Sequence, residues 1–205
     1  MPVGQRDFEI IQGATFDPVI RWGSGEVVFK AITNITQAAP TVVTAPSHGL
    51  VENWPVSFTG VLGMTQINAK EDPPGASDIK HVKVVDTDTV EIKRLSSALF
   101  TAYKSGGYLR YNVPVDMAGF TARMYFRKNK KDAVPLMMLD TDGGITLNNT
   151  DKRIEIFISA VDTAAITWKR AYYDLEMVAG ALDDTNAVVD RILEGVVTIS
   201  PEATY

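Results

Sequence analysis

The chain has 205 residues, of which 45% are hydrophobic and 22% charged, and its formal net charge is −5 at pH 7. This composition is typical of a folded protein with one large domain or two small ones, and the negative charge gives no overall basic field for nucleic acid or an anionic membrane. The sequence contains no cysteine, which excludes disulfides, thiol catalysis and thiolate zinc sites.

Short stretches in which apolar and polar residues alternate recur along the chain, and turn-forming residues bound them. In chain order they are "FEIIQGATFDPVIRW" (8–22), "KAITNITQAAPTVVTA" (30–45), "PVSFTGV" (55–61), "KHVKVVD" (80–86), "TVEIKRL" (89–95), "GGYLRYNV" (106–113), "FTARMYFRK" (120–128), "VPLMML" (134–139), "RIEIFIS" (153–159), "YYDLEMV" (172–178) and "VVDRILEGVVTI" (188–199). A strand period at this spacing predicts an all-β protein of the sandwich or barrel type. Helix signals are confined to 96–107 and to 159–169, so we expect at most one or two short helices.

The sequence also predicts how the chain is divided. "RWGSGEVVF" (21–29) ends a strand in a Gly-Ser-Gly turn, and "VPVDMAGFTARM" (113–124) looks like the next strand of the same sheet. We therefore predict a discontinuous β-sandwich made of residues 1–30 and 112–205, with a small β-barrel module, residues 31–111, inserted in it. A module of about 80 residues buries a modest core, so we expect it to dock on its host.

Patterns that would indicate catalysis or metal binding are weak. His48 and His81 lack the spacing of metal ligands, and no phosphate-binding glycine loop or nucleophile elbow occurs. Asp140 and Asp142 are spaced as in a calcium-binding loop, but the required glycine and bidentate glutamate are missing, and a tight turn explains them more simply. We expect no enzymatic activity, no catalytic residue, no cofactor and no metal.

Six segments of the outer part of the chain, taken in order, are similar to a known family. They are "IIQGATFDPVIRW" (10–22), "PVDMAGFTARMYFR" (114–127), "DGGITL" (142–147), "IEIFISAVDTAAI" (154–166), "YYDLEMV" (172–178) and "LEGVVTISPEAT" (193–204). Together they resemble tailed-bacteriophage virion proteins, including the N-terminal β-sandwich of upper baseplate proteins from siphophages. The resemblance implies a virion protein of the tail, baseplate or neck.

The predicted insert resembles a different family. "SHGLVENWPVSFTGVLGMTQINA" (47–69) and "VKVVDTDTVEIKRLSSALFTAYKSGGYL" (82–109) are similar to the first catalytic-cysteine half-domain of ubiquitin-activating enzymes. The matching positions are His48, Gly49, Gly63, Met64, Asn68, Phe100, Tyr103, Gly106 and Gly107. The resemblance implies a small β-barrel with these residues as its signature, without the enzyme's chemistry, since cysteine and a nucleotide loop are absent.

The residue types of this signature favour a scaffold role. Gly63 suits a tight crossing at a barrel corner, and Met64 is a flexible filler for a small core. Asn68 is suited to bond backbone groups of the adjoining turn, and we expect the ring of His48 to be hydrogen-bonded locally.

We therefore predict a non-enzymatic structural component of a bacteriophage virion. It would be an adaptor that forms a symmetric homo-oligomer and attaches neighbouring tail, connector or fibre proteins, with no nucleic-acid or membrane partner. The N-terminus has no signal-peptide pattern, so we expect synthesis in the host bacterial cytoplasm and residence in the virion. The expected contact regions are the N-terminal arm (1–7), the loop 72–78 with Asp72, Pro73, Pro74 and Gly75, and the C-terminal segment from Pro201 to Tyr205.

Two alternatives stay open at this stage. The first is a host-surface glycan-binding module of a phage tail, in which aromatic side chains form a sugar platform. Its candidate residues are Trp22, Trp54, Trp168, Tyr172 and Tyr173. The second is an enzyme such as a glycan hydrolase, which would need two facing carboxylates that the sequence does not pair.

Overall fold

The structure is a computed structural model that describes residues 3–183 and 186–201. The chain folds into two compact units. The outer unit comprises the residues up to Trp22 together with those from Val115 onward, and the inserted unit is Gly23–Pro114. Strands dominate both units, so the predicted all-β fold is confirmed.

The elements are numbered in chain order. The strands are β1 (Gly4–Gln5), β2 (Phe8–Ile11), β3 (Val19–Ile20), β4 (Gly23–Ala31), β5 (Asn34–Ile35), β6 (Thr41–Thr44), β7 (Pro55–Thr59), β8 (Lys80–Val84), β9 (Thr89–Ile92), β10 (Tyr108–Pro114), β11 (Phe120–Arg127), β12 (Met137–Asp140), β13 (Ile145–Asn148), β14 (Arg153–Ile156), β15 (Arg170–Ala179) and β16 (Val188–Ser200). The helical segments in the described residues are α1 (Ala160–Ala164) and two 3₁₀ turns, Thr65–Ile67 and Ala76–Asp78. Ser159 caps α1 by accepting a hydrogen bond from Asp162 N at 3.1 Å, whereas segment 96–107 forms turns without a helix.

The outer unit is a sandwich of two sheets. The larger sheet has the order β1-β16-β15-β11-β12, with β2 also paired to β16, and the smaller has the order β13-β14-β3. Alternate residues of each strand point inward, so Met124 and Leu175 of the larger sheet share one core with Ile154 and Ile156 of the smaller sheet. The first strands pair in parallel with β16, which places residues 4–11 within the sheet. The predicted N-terminal arm is therefore sheet from Gly4 onward; Met1 and Pro2 lie outside the described residues.

The inserted unit is one strongly curled sheet with the order β4-β10-β7-β8-β9-β6-β5. Its two outermost strands are consecutive in the chain, with Ile32 and Thr33 between them. Ile32 N donates to Gly107 O beside β10 at 3.0 Å, and Thr33 N donates to Thr44 O in β6 at 2.9 Å. Because two adjacent residues bond to opposite ends of the sheet, the sheet curls around a core that includes Trp54 and Phe58.

The inserted unit begins at Gly23 and ends at Pro114, whereas the sequence placed its limits at residues 31 and 111. The Gly-Ser-Gly segment is part of β4, which runs along β10 from the pair Pro114–Gly23 to the pair Tyr108–Ala31. Gly23 fits here because an added Cβ would lie 3.0 Å from Asn112 Cβ. The sequence predicted a turn at these glycines because the close approach of two strands leaves no local signal in the sequence.

Candidate recognition cleft in the inserted unit

The first signature residue, His48, is buried and fully bonded inside the inserted unit. Its Nδ1 accepts a hydrogen bond from Leu50 N at 3.0 Å, so Nε2 carries the proton and donates to Asp86 O, also at 3.0 Å. The hydroxyl of Tyr111 donates to the carbonyl of His48, and burial raises the pKa of Tyr111. Since neither ring nitrogen keeps a free lone pair, His48 has a structural role. The adjoining Gly49 takes a positive φ of 67° in the turn.

The remaining signature residues build a barrel corner, defined here as residues 60–68 and 102–107. Gly63 has a φ of 87°, and a Cβ added to it would lie 2.3 Å from Ala102 O. Asn68 pairs with the backbone of Val61: Oδ1 accepts from Val61 N at 2.9 Å, and Nδ2 donates to Val61 O at 3.0 Å. Met64 is completely buried in the core beneath. The residues on this side of the corner therefore bond to and pack against one another.

The other side of the corner is equally close-packed. Gly107 has a φ of 88°, and a Cβ there would lie 2.4 Å from Val61 Cγ2. Tyr103 Oη lies 3.0 Å from Ile32 O and 3.1 Å from Gly106 O, and its proton is directed to this pair of carbonyls. These signature residues thus hold two chain segments together.

A cleft of about 270 Å³ opens next to this corner. Strands β4, β7 and β10 form its floor, and the predicted contact loop forms its wall. Its lining includes Phe29, Ser57, Thr59, Lys70, Glu71, Asp72, Pro74 and Arg110. Two of the four predicted loop residues, Asp72 and Pro74, line the cleft directly; Pro73 is exposed and Gly75 is half-buried beside them.

Phe29 and Arg110 line the cleft, and Tyr108 lies beside it against the ring of Phe29. Phe29 and Tyr108 are 51% and 48% exposed, and their rings meet edge to face with centroids 6.3 Å apart. The guanidinium of Arg110 lies 5.6 Å from the centre of the Phe29 ring and 2.7 Å from Asp72 Oδ1. Lys70 and Glu71 add one charge of each sign, so the lining is mixed in charge and suited to recognition.

The wall of the cleft is held from within. Asp78 is buried, and its Oδ2 accepts hydrogen bonds from Lys70 N at 3.1 Å and from Gly75 N at 3.3 Å. Ala69 N donates to Phe58 O at 2.7 Å, which fixes the start of the loop on β7. The predicted contact loop is therefore a wall that its own hydrogen bonds hold in shape.

The sequence reasoning missed Phe29, Tyr108 and Arg110. A signal was present in β10, where Tyr108 and Arg110 alternate with the buried Leu109 and Tyr111, so two strong contact residues point away from the core. The opposite error concerns Trp54, which was considered for a sugar platform. Trp54 is 1% exposed and its Nε1 donates to Asn112 O at 2.9 Å, so it belongs to the core.

The predicted C-terminal contact segment is described only at its start. Pro201 is exposed and lines a groove of about 510 Å³ in the outer unit, together with Gln12 and Trp168. Tyr205 lies outside the described residues.

Comparisons with known proteins leave the family open. No protein-family model matches the chain, and no curated protein is significantly similar to it. The two resemblances therefore stay predictions from motif order. Across residues 3–183 and 186–201, no helix has the length and apolarity to cross a bilayer, and no three His, Cys, Asp or Glu side chains gather into a metal site.

Proposed function

We propose that the protein is a non-enzymatic adaptor of a tailed-phage virion, located in the tail, baseplate or neck. The observation that carries the proposal is the cleft: the inserted all-β unit places an exposed ring, Phe29, and the half-buried Arg110 in it, with the exposed ring of Tyr108 beside it. Phage origin rests on the order of the sequence motifs, and the adaptor role rests on this recognition surface within a two-unit architecture.

The two-unit architecture supports separate binding roles for the outer unit and the inserted unit. The two chain crossings lie side by side, because Trp22 O accepts a hydrogen bond from Val115 N at 3.0 Å. A module joined in this way can be carried by its host without changing the host's core. In the proposed mechanism the outer unit docks on the particle, and the inserted unit binds a neighbouring tail or fibre protein through the cleft. Repeated copies then strengthen individually weak contacts.

Aromatic residues and arginine are the types that most often carry binding energy at protein interfaces. Phe29, Tyr108 and Arg110 meet this description, since the rings are half exposed and Arg110 is oriented by Asp72. Binding at the cleft is expected to bury both rings and to keep the Arg110–Asp72 pair at the rim.

Mass spectrometry of purified virions tests the proposal, with a density map of the particle giving copy number and neighbours. We expect the protein in stoichiometric amounts, with the inserted unit against another virion protein. Its absence from virions, or turnover of a substrate by the isolated chain, would contradict the adaptor role.

The same cleft favours one second candidate, recognition of a host-surface glycan. Exposed rings beside Lys70, Glu71 and Arg110 offer both a stacking face and hydrogen-bonding groups. A glycan array probed with the full chain tests it. The control variant is Leu99→Ala, because Leu99 is 98% exposed. Glycan binding that is lost in Phe29→Ala and kept in the control would support the glycan hypothesis. A blank array would contradict it.

A further inference from the structure

The outer unit has an unprotected sheet edge at β12. This strand is the last in its sheet and pairs with β11 on one side. On its other side the described residues add only a single bridge, between Asp140 and Gly144. An edge strand of this kind presents backbone donors and acceptors that another strand can use.

The side chains along this edge are apolar. Val134, Leu136 and Met138 alternate along the chain and are 80%, 40% and 50% exposed, and the segment 133–139 ("AVPLMML") carries no charge. Beside the strand lies a groove of about 610 Å³, called the edge groove here, which Leu136, Met138, Phe157 and Trp168 help to line. Natural edge strands are often protected by charges, and this segment has none; Pro135 precedes β12, which leaves the backbone of Met137–Asp140 and the exposed apolar side chains available to a partner strand.

The charges that flank the edge have opposite signs at its two ends. Lys128 and Lys131 precede the uncharged segment 133–139 and are exposed. Asp140, the last residue of β12, and Asp142 follow that segment. Asp140 Oδ1 accepts hydrogen bonds from Asp142 N and Gly143 N, both at 2.9 Å, so the acidic end is fixed in a turn. Asp132, the one acid at the basic end, accepts a hydrogen bond from Asn129 N at 2.9 Å.

The charge pattern of this edge is complementary to that of a second copy whose strand runs in the opposite direction. In an antiparallel pair of β12 strands related by a twofold axis, the basic end of each copy lies beside the acidic end of the other, and the uncharged segments meet in the middle. Two attractive contacts then arise from one surface. In such a pair the exposed Lys128 and Lys131 orient the second copy.

We propose that two copies of this chain pair antiparallel through β12, which joins their larger sheets across a twofold axis. The β12 strand of each copy enters the edge groove of the other, where Leu136 and Met138 lose contact with water. The inference rests on the proposed function, because it specifies the contact by which the adaptor self-associates.

Analytical ultracentrifugation of the full chain over a range of concentrations tests the interface. We expect a dimer whose dissociation constant rises on the order of tenfold or more in Met138→Lys, because an ammonium would lose its hydration in a largely apolar contact. The matched control is Leu99→Lys, which changes an exposed leucine of the inserted unit and is expected to leave the constant unchanged. Circular dichroism establishes that both variants are folded.

A charge exchange tests the antiparallel direction. Lys131→Glu and Asp142→Lys are each expected to weaken the dimer roughly three- to tenfold, and the double variant is expected to restore it. A double variant as weak as the single ones would overturn the antiparallel arrangement.

The remaining outcomes separate this inference from the proposed function. A dimer that Met138→Lys leaves intact would overturn the β12 interface while self-association stands. A chain that stays monomeric at every concentration, or that binds an unrelated extended segment at this edge, would overturn the inference, and presence in virions would still decide the adaptor role.

Discussion

The barrel corner adjoins the end of β7 and the start of β10, and the cleft lies on those same strands, yet the two regions use their residues in opposite ways. At the corner, Gly63 and Gly107 lie where no side chain fits, and Asn68 bonds within the unit. At the cleft and beside it, Phe29 and Tyr108 expose about half of their surface. The comparison teaches that conspicuous motif residues can encode geometry, while the residues available for binding lie in ordinary alternating strands.

The strongest test of the corner is Gly63→Ala. The new Cβ would lie 2.3 Å from Ala102 O and 2.7 Å from Lys104 N, at a positive φ that side chains rarely adopt. We expect the free energy of unfolding of the inserted unit to fall by about 3–5 kcal/mol. Denaturant titration of the full chain measures this change.

Gly49→Ala is the matched control for that experiment. Gly49 also has a positive φ, 67°, but an added Cβ would meet nothing within 4 Å. The expected loss is about 1–2 kcal/mol, the cost of the backbone conformation alone. Equal losses in the two variants would show that the corner is not closely packed.

Asn68→Ala is expected to have the next largest effect. It removes both hydrogen bonds to Val61, whose buried backbone groups would then lack these partners. We expect a loss of about 1–3 kcal/mol, measured by thermal or denaturant unfolding. Gln66→Ala is the control, because Gln66 is exposed and bonds a threonine hydroxyl at the surface, at 3.0 Å.

The sequence predicted much of this fold for identifiable physical reasons. Alternation in "FTARMYFRK" and "YYDLEMV" indicated the central strands β11 and β15, where every second residue is buried. The limits of the insert differ from the predicted ones, because the pairing of β4 with β10 joins residues that are 91 positions apart at Gly23–Pro114 and 77 apart at Ala31–Tyr108, and it leaves no local signal. Residues 8–11 were predicted as strand, but their parallel pairing with β16, and the short strand β1, were missed for the same reason.

The cleft could be predicted only in part. Its wall was indicated by the Pro/Gly/Ser composition of loop 72–78, which is a local property. Its floor brings together Phe29, Ser57 and Arg110 from three strands, a result of sheet order that composition does not encode. Trp54 was misjudged because an aromatic residue near a turn has the same local sequence whether its ring faces the core or the solvent.

A pH titration tests the buried face of β10, opposite the face that carries the cleft. Burial raises the pKa of Tyr111, which points into the barrel. The unfolded chain therefore releases the tyrosine proton at a lower pH than the folded chain, and the stability that depends on neutral Tyr111 is fully present below about pH 10 and decreases above it. We expect alkaline unfolding followed by tyrosine absorbance to shift to higher pH in Tyr111→Phe. An unchanged profile would show that Tyr111 does not govern the transition.

The smallest expected effect on stability is that of Asp72→Asn at the cleft, together with Arg110→Ala. The ion pair joins Arg110 to a carboxylate with 87% of its side chain exposed, and solvent screening leaves such pairs with less than about 1 kcal/mol. Both variants should unfold within that range of the unmodified chain, yet Arg110→Ala should weaken binding of whichever neighbour or glycan the cleft takes. Pull-down or array binding with each folded variant measures this. A loss of stability as large as that of Gly63→Ala would place the cleft among the structural elements and remove it as the recognition site.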